Sequence, residues 1–382
     1  MEEYFSNKFE KSFSNFILKN VDKDWDWRAL SSNTNVTVDL IKKTFDKKWK
    51  LPIILQINKE INQLLDIEFD TPDINKFKYL SKNKSIKIDH IINNINKEWN
   101  WEHLSNLSNI SYDLILKNSK LPWNIKGLSR NKNITLNIIK KNSFLWDYWW
   151  GLSRNVNITS EYLKDNIDKR WDWKLLSYTI VTSDIIKNYP NKLYSWKGIS
   201  INKNITWDIV KQNNDYPWEW SYLSVNPNIT FDIIINNLDK IWDWDQVSLN
   251  QNITWDNVKN NLELLWNWTY ISSREFVNIK IIKENISLPW DWESISKNYN
   301  INFQDVIRHP LYPWDSSYIS YNPNITFFII NKYPKYPWDF NFLSSNQMNK
   351  GKNRYIRNKI KLLCIALLKL NKDIIFNIFK YI

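Results

Sequence analysis

Apolar and polar residues recur along most of this chain in a unit of 24 residues. The clearest copy, PWEWSYLSVNPNITFDIIINN, runs from Pro217 to Asn237. Two tryptophans lead into a Leu-Ser pair, an Asn-Pro-Asn break follows, and a threonine then opens a second short apolar run. A fixed period in this range is typical of solenoids and other repeat arrays. The pattern therefore predicts stacked copies of one small structural unit.

The serine of the Leu-Ser pair is a common reference point for about fourteen copies. From Ser81 onward the step between reference serines is 24 residues, except for one step of 23 residues from Ser177 to Ser200. A degenerate copy between Ser31 and Ser81 keeps Trp49 in the first tryptophan position but has no serine. The reference serines are Ser31, Ser81, Ser105, Ser129, Ser153, Ser177, Ser200, Ser224, Ser248, Ser272, Ser296, Ser320 and Ser344.

Tryptophan is concentrated in two positions of the unit, six and four residues before the reference serine. These two positions hold 20 of the 24 tryptophans. A buried tryptophan removes roughly 150–250 Å² of surface from water, so stacked rings can supply the core that such a thin repeat lacks. The alternative is an exposed stacking surface. Burial is favoured, because so many exposed rings would form a very large adhesive patch.

The second half of the unit begins with a helix signal. Thr230 and its equivalents can accept a hydrogen bond from a backbone N–H two or three residues further on. Two positions later stands a carboxylate such as Asp232, which complements the positive end of a helix dipole. In the first half, Pro217 beside Trp218 suits the first turn of another short helix. The unit is therefore predicted to be a helix-turn-helix pair stabilised by its neighbours.

The predicted fold class is all-α, an α-solenoid of about fourteen helix-turn-helix repeats of ~24 residues with a C-terminal capping helix. A leucine-rich-repeat-like solenoid is the alternative. Its repeats run roughly 20–29 residues with a leucine shortly before an asparagine, as in Leu223 and Asn226. Against it, the prolines in Asn226-Pro227 and Asn322-Pro323 fit poorly into a sheet.

Asparagine fills two columns in the loop after the reference serine, represented by Asn226 and Asn228. Asparagine tolerates turn geometry and can bond backbone groups of its own or a neighbouring loop. We therefore expect a ladder of asparagines from copy to copy. The recurrent N-I-T also matches a glycosylation acceptor, but its threonine is already explained as a helix cap.

Three segments are predicted along the chain. Residues 1–20 form an N-terminal cap, residues 21–349 form the repeat solenoid with its degenerate copy at about 46–74, and residues 350–382 form a basic amphipathic C-terminal helix that caps the last repeat. The last segment has nine Lys or Arg against Asp373 alone, so it carries +8 of the net charge of +12.

The basic C-terminal segment is also a candidate contact for an acidic partner, nucleic acid or an anionic membrane surface. The residues proposed for such contacts are Lys350, Lys352, Arg354, Arg357, Lys359 and Lys361.

Residues with catalytic or metal-binding chemistry are few and scattered. The chain has one cysteine, Cys364, and its histidines, His90, His103 and His309, lack the spacing of metal ligands. The carboxylate between the two tryptophans, as in Asp26, Asp172, Glu219, Asp243 and Asp291, recurs in several copies, whereas a catalytic pair would occur once. This recurrence indicates a structural role. No set of nucleophile, base and orienting residue can be named. We therefore expect no enzyme activity, no catalytic residue, no metal and no cofactor.

Hydropathy gives an expectation for location. No run of eighteen apolar residues suggests a membrane-spanning helix. The N-terminal sequence MEEYFSNKFEKSF lacks the apolar segment of a secretory signal. The expected location is therefore intracellular.

The repeat motif resembles that of known tandem-repeat proteins. The pattern W-D-W…L-S-x-N-P-N-I-T-x-D-I-I, read here from Trp218 to Ile234 and its copies, is similar to repeats in large proteins of giant amoeba-infecting viruses of the mimivirus kind. The likeness covers roughly residues 21–349, with departures in the units at Ser81, Ser177 and Ser272. It implies a viral source and a location in the infected-cell cytoplasm or the virion. It carries over no catalytic residue.

Two functions fit these observations. The favoured one is a non-catalytic scaffold that binds a host or viral protein, because a repeat array offers a large surface and the sequence lacks catalytic chemistry. The alternative is single-stranded nucleic-acid binding by aromatic residues beside lysines, together with the basic tail. The aromatic residues proposed for that surface follow the helix cap in successive repeats and are Trp207, Phe231, Trp255, Phe303 and Phe327. Partner identity and oligomeric state stay open.

Overall fold

A computed structural model describes residues 1–67, 75–142 and 147–368, with side chains described up to residue 363. Within these ranges it has twenty-nine α-helices and no β-strand. The helices are α1 Glu2–Lys19, α2 Trp27–Leu30, α3 Val38–Lys43, α4 Leu51–Ile57, α5 Ile61–Asp66, α6 Lys76–Leu80, α7 Ile88–Ile92, α8 Trp101–Ser105, α9 Tyr112–Lys117, α10 Ile125–Arg130, α11 Leu136–Lys141, α12 Trp149–Leu152, α13 Ser160–Asp165, α14 Trp173–Leu176, α15 Ser183–Asn188, α16 Trp196–Ile201, α17 Trp207–Gln212, α18 Trp220–Ser224, α19 Phe231–Ile235, α20 Trp244–Leu249, α21 Trp255–Lys259, α22 Trp268–Ser273, α23 Ile279–Glu284, α24 Trp292–Lys297, α25 Phe303–Arg308, α26 Ser316–Tyr321, α27 Phe327–Lys332, α28 Phe340–Ser345 and α29 Asn349–Leu368.

Between α1 and α29 the helices alternate in type. Even-numbered helices, here called A helices, begin at or near the second tryptophan position and contain or precede the reference serine. Odd-numbered helices, here called B helices, begin directly after the capping position. This alternation confirms the all-α helical repeat solenoid and removes the leucine-rich-repeat alternative, because the described residues contain no strand.

Side chains cap both kinds of helix. Thr230 accepts a hydrogen bond from the backbone N–H of Ile233 at the start of α19. At the start of α20, Asp243 accepts one from the backbone N–H of Gln246. The carboxylate between the two tryptophans thus satisfies a backbone donor that the first turn leaves free. This role explains why the position holds a carboxylate in many copies and another capping residue, Asn or Ser, in several others.

The reference serine links consecutive repeats. Ser224 is fully buried; its hydroxyl donates to the carbonyl of Trp220 at 2.8 Å and accepts from the N–H of Asp243 in the next repeat at 2.9 Å. The same link to the following repeat recurs along the chain at 2.7–3.0 Å. The degenerate copy keeps the donor side of this link, because Lys50 N–H donates to Ser31, but has Leu55 in place of the serine.

The two aromatic columns pack against each other across repeats. The second aromatic residue of one copy meets the first aromatic residue of the next with centroids 4.9–5.7 Å apart and planes at 75–89°. Edge-to-face contact of this kind is favourable for aromatic rings. In addition, each first-column indole N–H donates to the carbonyl five residues earlier, at 2.7–3.0 Å. The B helix therefore ends with a satisfied carbonyl.

The asparagine columns form the predicted ladder. Asn226 donates to the carbonyls of Ser200 and Asn202 in the preceding loop and accepts from the N–H of Asn228. Asn228 in turn donates to the carbonyls of Lys203 and Ile205. Because Asn226 is fully buried, these bonds satisfy polar groups that water cannot reach.

The chain divides into two compact units, Met1–Asp70 with Ser272–Ile382 (unit 1) and Thr71–Ile271 (unit 2). Within unit 1 the first repeat lies beside the last one. The N–H of Asp26 donates to Ser344 at 2.9 Å, as in any consecutive pair of copies. The rings of Trp25 and Phe340 meet at 5.1 Å and 83°. The first copy thus takes the place of a following neighbour for the last copy.

Helices α1 and α29 also pack together in unit 1. The ring of Phe9 in α1 contacts Phe327 at 5.1 Å and Tyr355 of α29 at 5.6 Å. Lys352 of α29 donates to Glu10 of α1 at 2.7 Å. Helix α29 is the described part of the predicted C-terminal helix, of which residues 369–382 lie outside the described ranges.

Candidate binding surfaces

The aromatic residues proposed for nucleic-acid stacking each begin a B helix, but they do not form a solvent-facing column. Phe231, Phe303 and Phe327 are buried, with exposures of 8%, 4% and 3%. Trp207 and Trp255 are half-buried. The three phenylalanines present no free stacking surface, because the first residue of a B helix there points into the packing between repeats.

Ring contacts identify what holds these aromatic residues. Phe231 stacks on Trp266 at 5.9 Å, and Phe303 packs on Trp338 at 5.0 Å. These partners belong to the first aromatic column. The residues thus extend the core instead of offering faces to bases.

The basic tail is divided between internal and exposed side chains. Lys350 donates to the carbonyl of Tyr299, and burial lowers the pKa of its ammonium group, with the Arg354 charge contributing. Arg354 donates to Asn324 at 3.1 Å. Lys352 donates to Asn35 as well as to α1. Half of the proposed contact residues therefore tie α29 to the repeats, and Arg357, Lys359 and Lys361 stay exposed.

A polar cleft of about 610 Å³ in unit 1 lies between α1, α3 and α5. Its buried carboxylate, Glu10, pairs with Lys59 at 2.9 Å and with Lys352 at 2.7 Å. Glu60 accepts the backbone N–H of Val38. Both acids already have structural partners, so the cleft is held together by ion pairs and hydrogen bonds.

The described residues also lack the groupings expected of metal chemistry. No set of three or more histidine, cysteine, aspartate or glutamate side chains among them could hold a metal ion. Burial lowers the pKa of both His90 and His103, which favours their neutral forms. Their charged neighbours include Lys87 for the first and Lys82 for the second.

Unit 2 exposes a row of apolar side chains at the turns that lead from a B helix into the next A helix. Leu193, Ile241 and Leu265 are 74%, 78% and 74% exposed, and Pro217 occupies the same position of the copy between them. Each directly precedes a residue of the first aromatic column. Leu238 and Leu262, three residues earlier in their copies, are about half exposed. We name these six residues the turn face.

Carboxylates surround the turn face. Asp215, Glu219 and Glu263 are exposed beside its apolar residues. Asp239 is exposed too and pairs with its neighbour Lys240 at 2.9 Å. From Pro217 to Leu265 the face therefore has a mainly acidic border, whereas the charged neighbour of Leu193 is Lys192. The whole chain carries a net charge of +12.

Sequence reasoning missed the turn face, although a signal for it exists. Up to residue 170, the position seven residues before the reference serine holds charged and apolar residues alike, namely Asp24, Lys48, Ile74, Glu98, Pro122, Trp146 and Arg170. From residue 193 onward it holds only Leu, Ile or Pro. The loss of charged side chains from one repeat position marks a surface with a different role.

The described residues contain no helix that is both long and apolar enough to cross a membrane. Comparison with protein families, with curated proteins and with solved structures finds no match to this chain.

Proposed function

We propose that this protein is a non-catalytic repeat scaffold that binds a protein partner through the turn face. The observation that carries the proposal is the exposure of Leu193, Ile241 and Leu265 in one position of the repeat. Contiguous apolar patches exposed on a protein surface often mark interaction sites. Copies adjacent in sequence stack on each other, so the row continues from copy to copy.

The geometry of the row suits a helical partner. Packed helix layers are about 8–10 Å apart, which gives the approximate spacing between row residues of adjacent copies. Along an α-helix, residues seven apart are separated by about 10.5 Å at 1.5 Å per residue. An amphipathic helix lying along the row can therefore place one apolar side chain on each copy.

Charge selects among such helices. The exposed carboxylates Asp215, Glu219 and Glu263 border the apolar row. A partner with basic residues flanking its apolar stripe gains electrostatic complementarity, which raises association rates and excludes acidic competitors. The occupant we propose is thus a basic amphipathic helix of another protein.

Peptide binding tests this proposal directly. A fluorescently labelled helical peptide of leucine and lysine is titrated with the full chain and followed by anisotropy, beside a scrambled peptide and a leucine-glutamate peptide. We expect saturable binding of the first peptide only. The double variant Ile241→Ser with Leu265→Ser should weaken it by about 30-fold or more, because the two lost apolar contacts together contribute about 2 kcal/mol.

The matched control is Leu116→Ser, which removes an exposed leucine of α9 outside the turn face. This variant should bind the peptide as the wild type does. Equal binding of the leucine-glutamate peptide, or an unchanged affinity in the double variant, would contradict the assignment.

The resemblance of the repeats to giant-virus proteins leads us to propose a viral source for this scaffold and a location in the infected cell or the virion. Quantitative mass spectrometry of purified virions and of infected-cell fractions tests the location. Recovery of the chain only from secreted medium would overturn it.

A further inference from the structure

A second surface of unit 2 is rich in cations. It consists of the A helices α10, α12, α14 and α16 together with the loop after each, and we name it the loop face. In segments 125–134, 149–158, 172–181 and 195–205, the one carboxylate is Asp172, which pairs with Arg154 at 3.2 Å. The cations of these segments are Lys126, Arg130, Lys132, Arg154, Lys174, Lys197 and Lys203.

Helix geometry brings these residues to one side. Positions three before and one after the reference serine are four residues apart, so they lie on one helix face. Trp150 and Arg154 show this directly, because the guanidinium of Arg154 lies 3.7 Å from the centroid of the Trp150 ring. Adjacent copies meet there too, since Arg130 pairs with Glu102 of the preceding A helix at 3.0 Å.

A cleft of about 560 Å³ opens in the middle of the loop face. Arg154, Val156, Tyr178 and Lys203 are among the residues that line it. It lies at the single 23-residue step, where the loop after Ser177 is one residue shorter than in other copies.

Two aromatic rings are exposed on this face. Trp150 and Tyr178 are each 44% exposed. Tyr178 lies directly over Gly198, where an added Cβ would come within 2.7 Å of the ring. Glycine at this position is therefore required for the ring to lie so close to α16.

We infer that the loop face binds single-stranded nucleic acid. Its cations are placed to contact phosphates, and the exposed rings of Trp150 and Tyr178 are placed to stack on bases. Acidic peptides would use the cations but gain nothing comparable from the rings, and the observations therefore favour nucleic acid. The site differs from the aromatic positions predicted from the sequence, and it is independent of the acidic turn face.

Salt dependence gives a quantitative expectation. Lys126, Lys132, Lys174, Lys197 and Lys203 form no ion pair with any described residue. If all five contact phosphates, the logarithm of the association constant should fall with the logarithm of salt concentration with a slope of about −3.5, from roughly −0.7 for each single-strand phosphate.

The test uses the full chain and a fluorescently labelled 12-nucleotide oligothymidylate at low salt, with a duplex of the same length and polyglutamate as further probes. Anisotropy should show that the single strand binds most tightly. The variant Lys132→Glu with Lys203→Glu should lose at least about tenfold in affinity. The charge-matched control, Lys120→Glu with Lys259→Glu, changes exposed lysines outside the loop face and should lose much less.

Ring variants separate nucleic acid from other polyanions. Trp150→Ala with Tyr178→Ala should weaken oligothymidylate binding at least tenfold and leave polyglutamate binding unchanged. Circular dichroism verifies that each variant is folded. Absence of binding at low salt, tighter binding of the duplex, or polyglutamate binding as strong as that of the single strand with no effect of the ring variant would each overturn the assignment.

Discussion

At the scale of single residues, the hydroxyl group of the reference serine links two repeats by hydrogen bonds. The reference serine is small enough to sit in the core and has both a donor and an acceptor. In Ser224 both are used, one within its own helix and one with the N–H of Asp243. Alanine at this position would keep the Cβ atom but remove the hydroxyl group and with it both hydrogen bonds.

We expect Ser224→Ala to lower the free energy of unfolding by about 1–3 kcal/mol, because it removes the acceptor for a partly buried N–H. Urea unfolding followed by tryptophan fluorescence measures the change. Ser119→Ala, at an exposed position, should change stability by less than about 0.5 kcal/mol. Equal effects of the two substitutions would contradict the role assigned to the buried hydroxyl.

A second residue-scale prediction concerns Tyr194, which replaces the first-column tryptophan in its copy. Its hydroxyl donates to the carbonyl of Tyr189 at 2.9 Å, and burial, aided by Tyr216, raises its pKa to about 12. Folding holds the proton on this phenol. The stability it contributes is therefore complete below the unfolded pKa of about 10 and is lost as pH rises towards 12.

The variant Tyr194→Trp carries no titrating group at this position but keeps a donor for the same carbonyl. The difference in unfolding free energy between the variant and the wild type should grow in favour of the variant between pH 10 and pH 12. Urea unfolding at several pH values measures it. A difference that does not change with pH would argue against a buried phenol.

At the scale of elements, the helices are too short to persist alone. Most B helices have five or six residues, and isolated helices of that length are unstable in water. Their stability comes from the asparagine ladder, the serine links and the aromatic contacts between copies. A repeat unit therefore satisfies its backbone hydrogen-bonding groups only when a neighbouring unit packs beside it.

Much of this element was predictable, because capping and burial leave local patterns. The position of Thr230 predicted the start of α19, and the repeated asparagines predicted the ladder; both predictions are confirmed. The direction of Phe231 was not predictable, since it depends on Trp266 more than one copy away. The link made by Ser224 was missed for the same reason, because its partner is 19 residues further on.

We expect Asn226→Asp to destabilise the chain by about 3 kcal/mol or more. The carboxylate cannot donate to the carbonyls of Ser200 and Asn202, and it places a charge in a fully buried site. Thermal unfolding measures the loss. Asn214→Asp, at an exposed turn position, is the matched control and should have little effect. If Asn214→Asp were as damaging, the cause would be charge in general and not the ladder.

At the scale of the whole molecule, residues far apart in sequence meet in unit 1. The link from Asp26 to Ser344 joins positions 318 residues apart, and α1 packs against α29. Repeat spacing could not reveal this pairing, because each copy carries the same bonding groups and gives no sign of which copies meet. The segments predicted as two separate caps are in contact with each other.

We expect Glu10→Gln to destabilise this pairing of α1 and α29 by about 3 kcal/mol, because it leaves the partly buried ammonium of Lys352 without its carboxylate. Chemical denaturation of the full chain measures the change. Glu3→Gln, in the exposed first turn of α1, removes the same charge and should be nearly neutral. Equal stability of the two variants would contradict a structural role for the buried ion pair.

The contact between the first and last copies affects where the folded chain opens locally. Terminal copies of an array with free ends lack one neighbour and open first, by fraying. Here the N–H of Asp26 is bound by Ser344 in the same way that interior copies bind each other. Deuterium uptake at the amide of Asp26 should therefore be as slow as at Asp243, and limited protease digestion should not begin at these two copies.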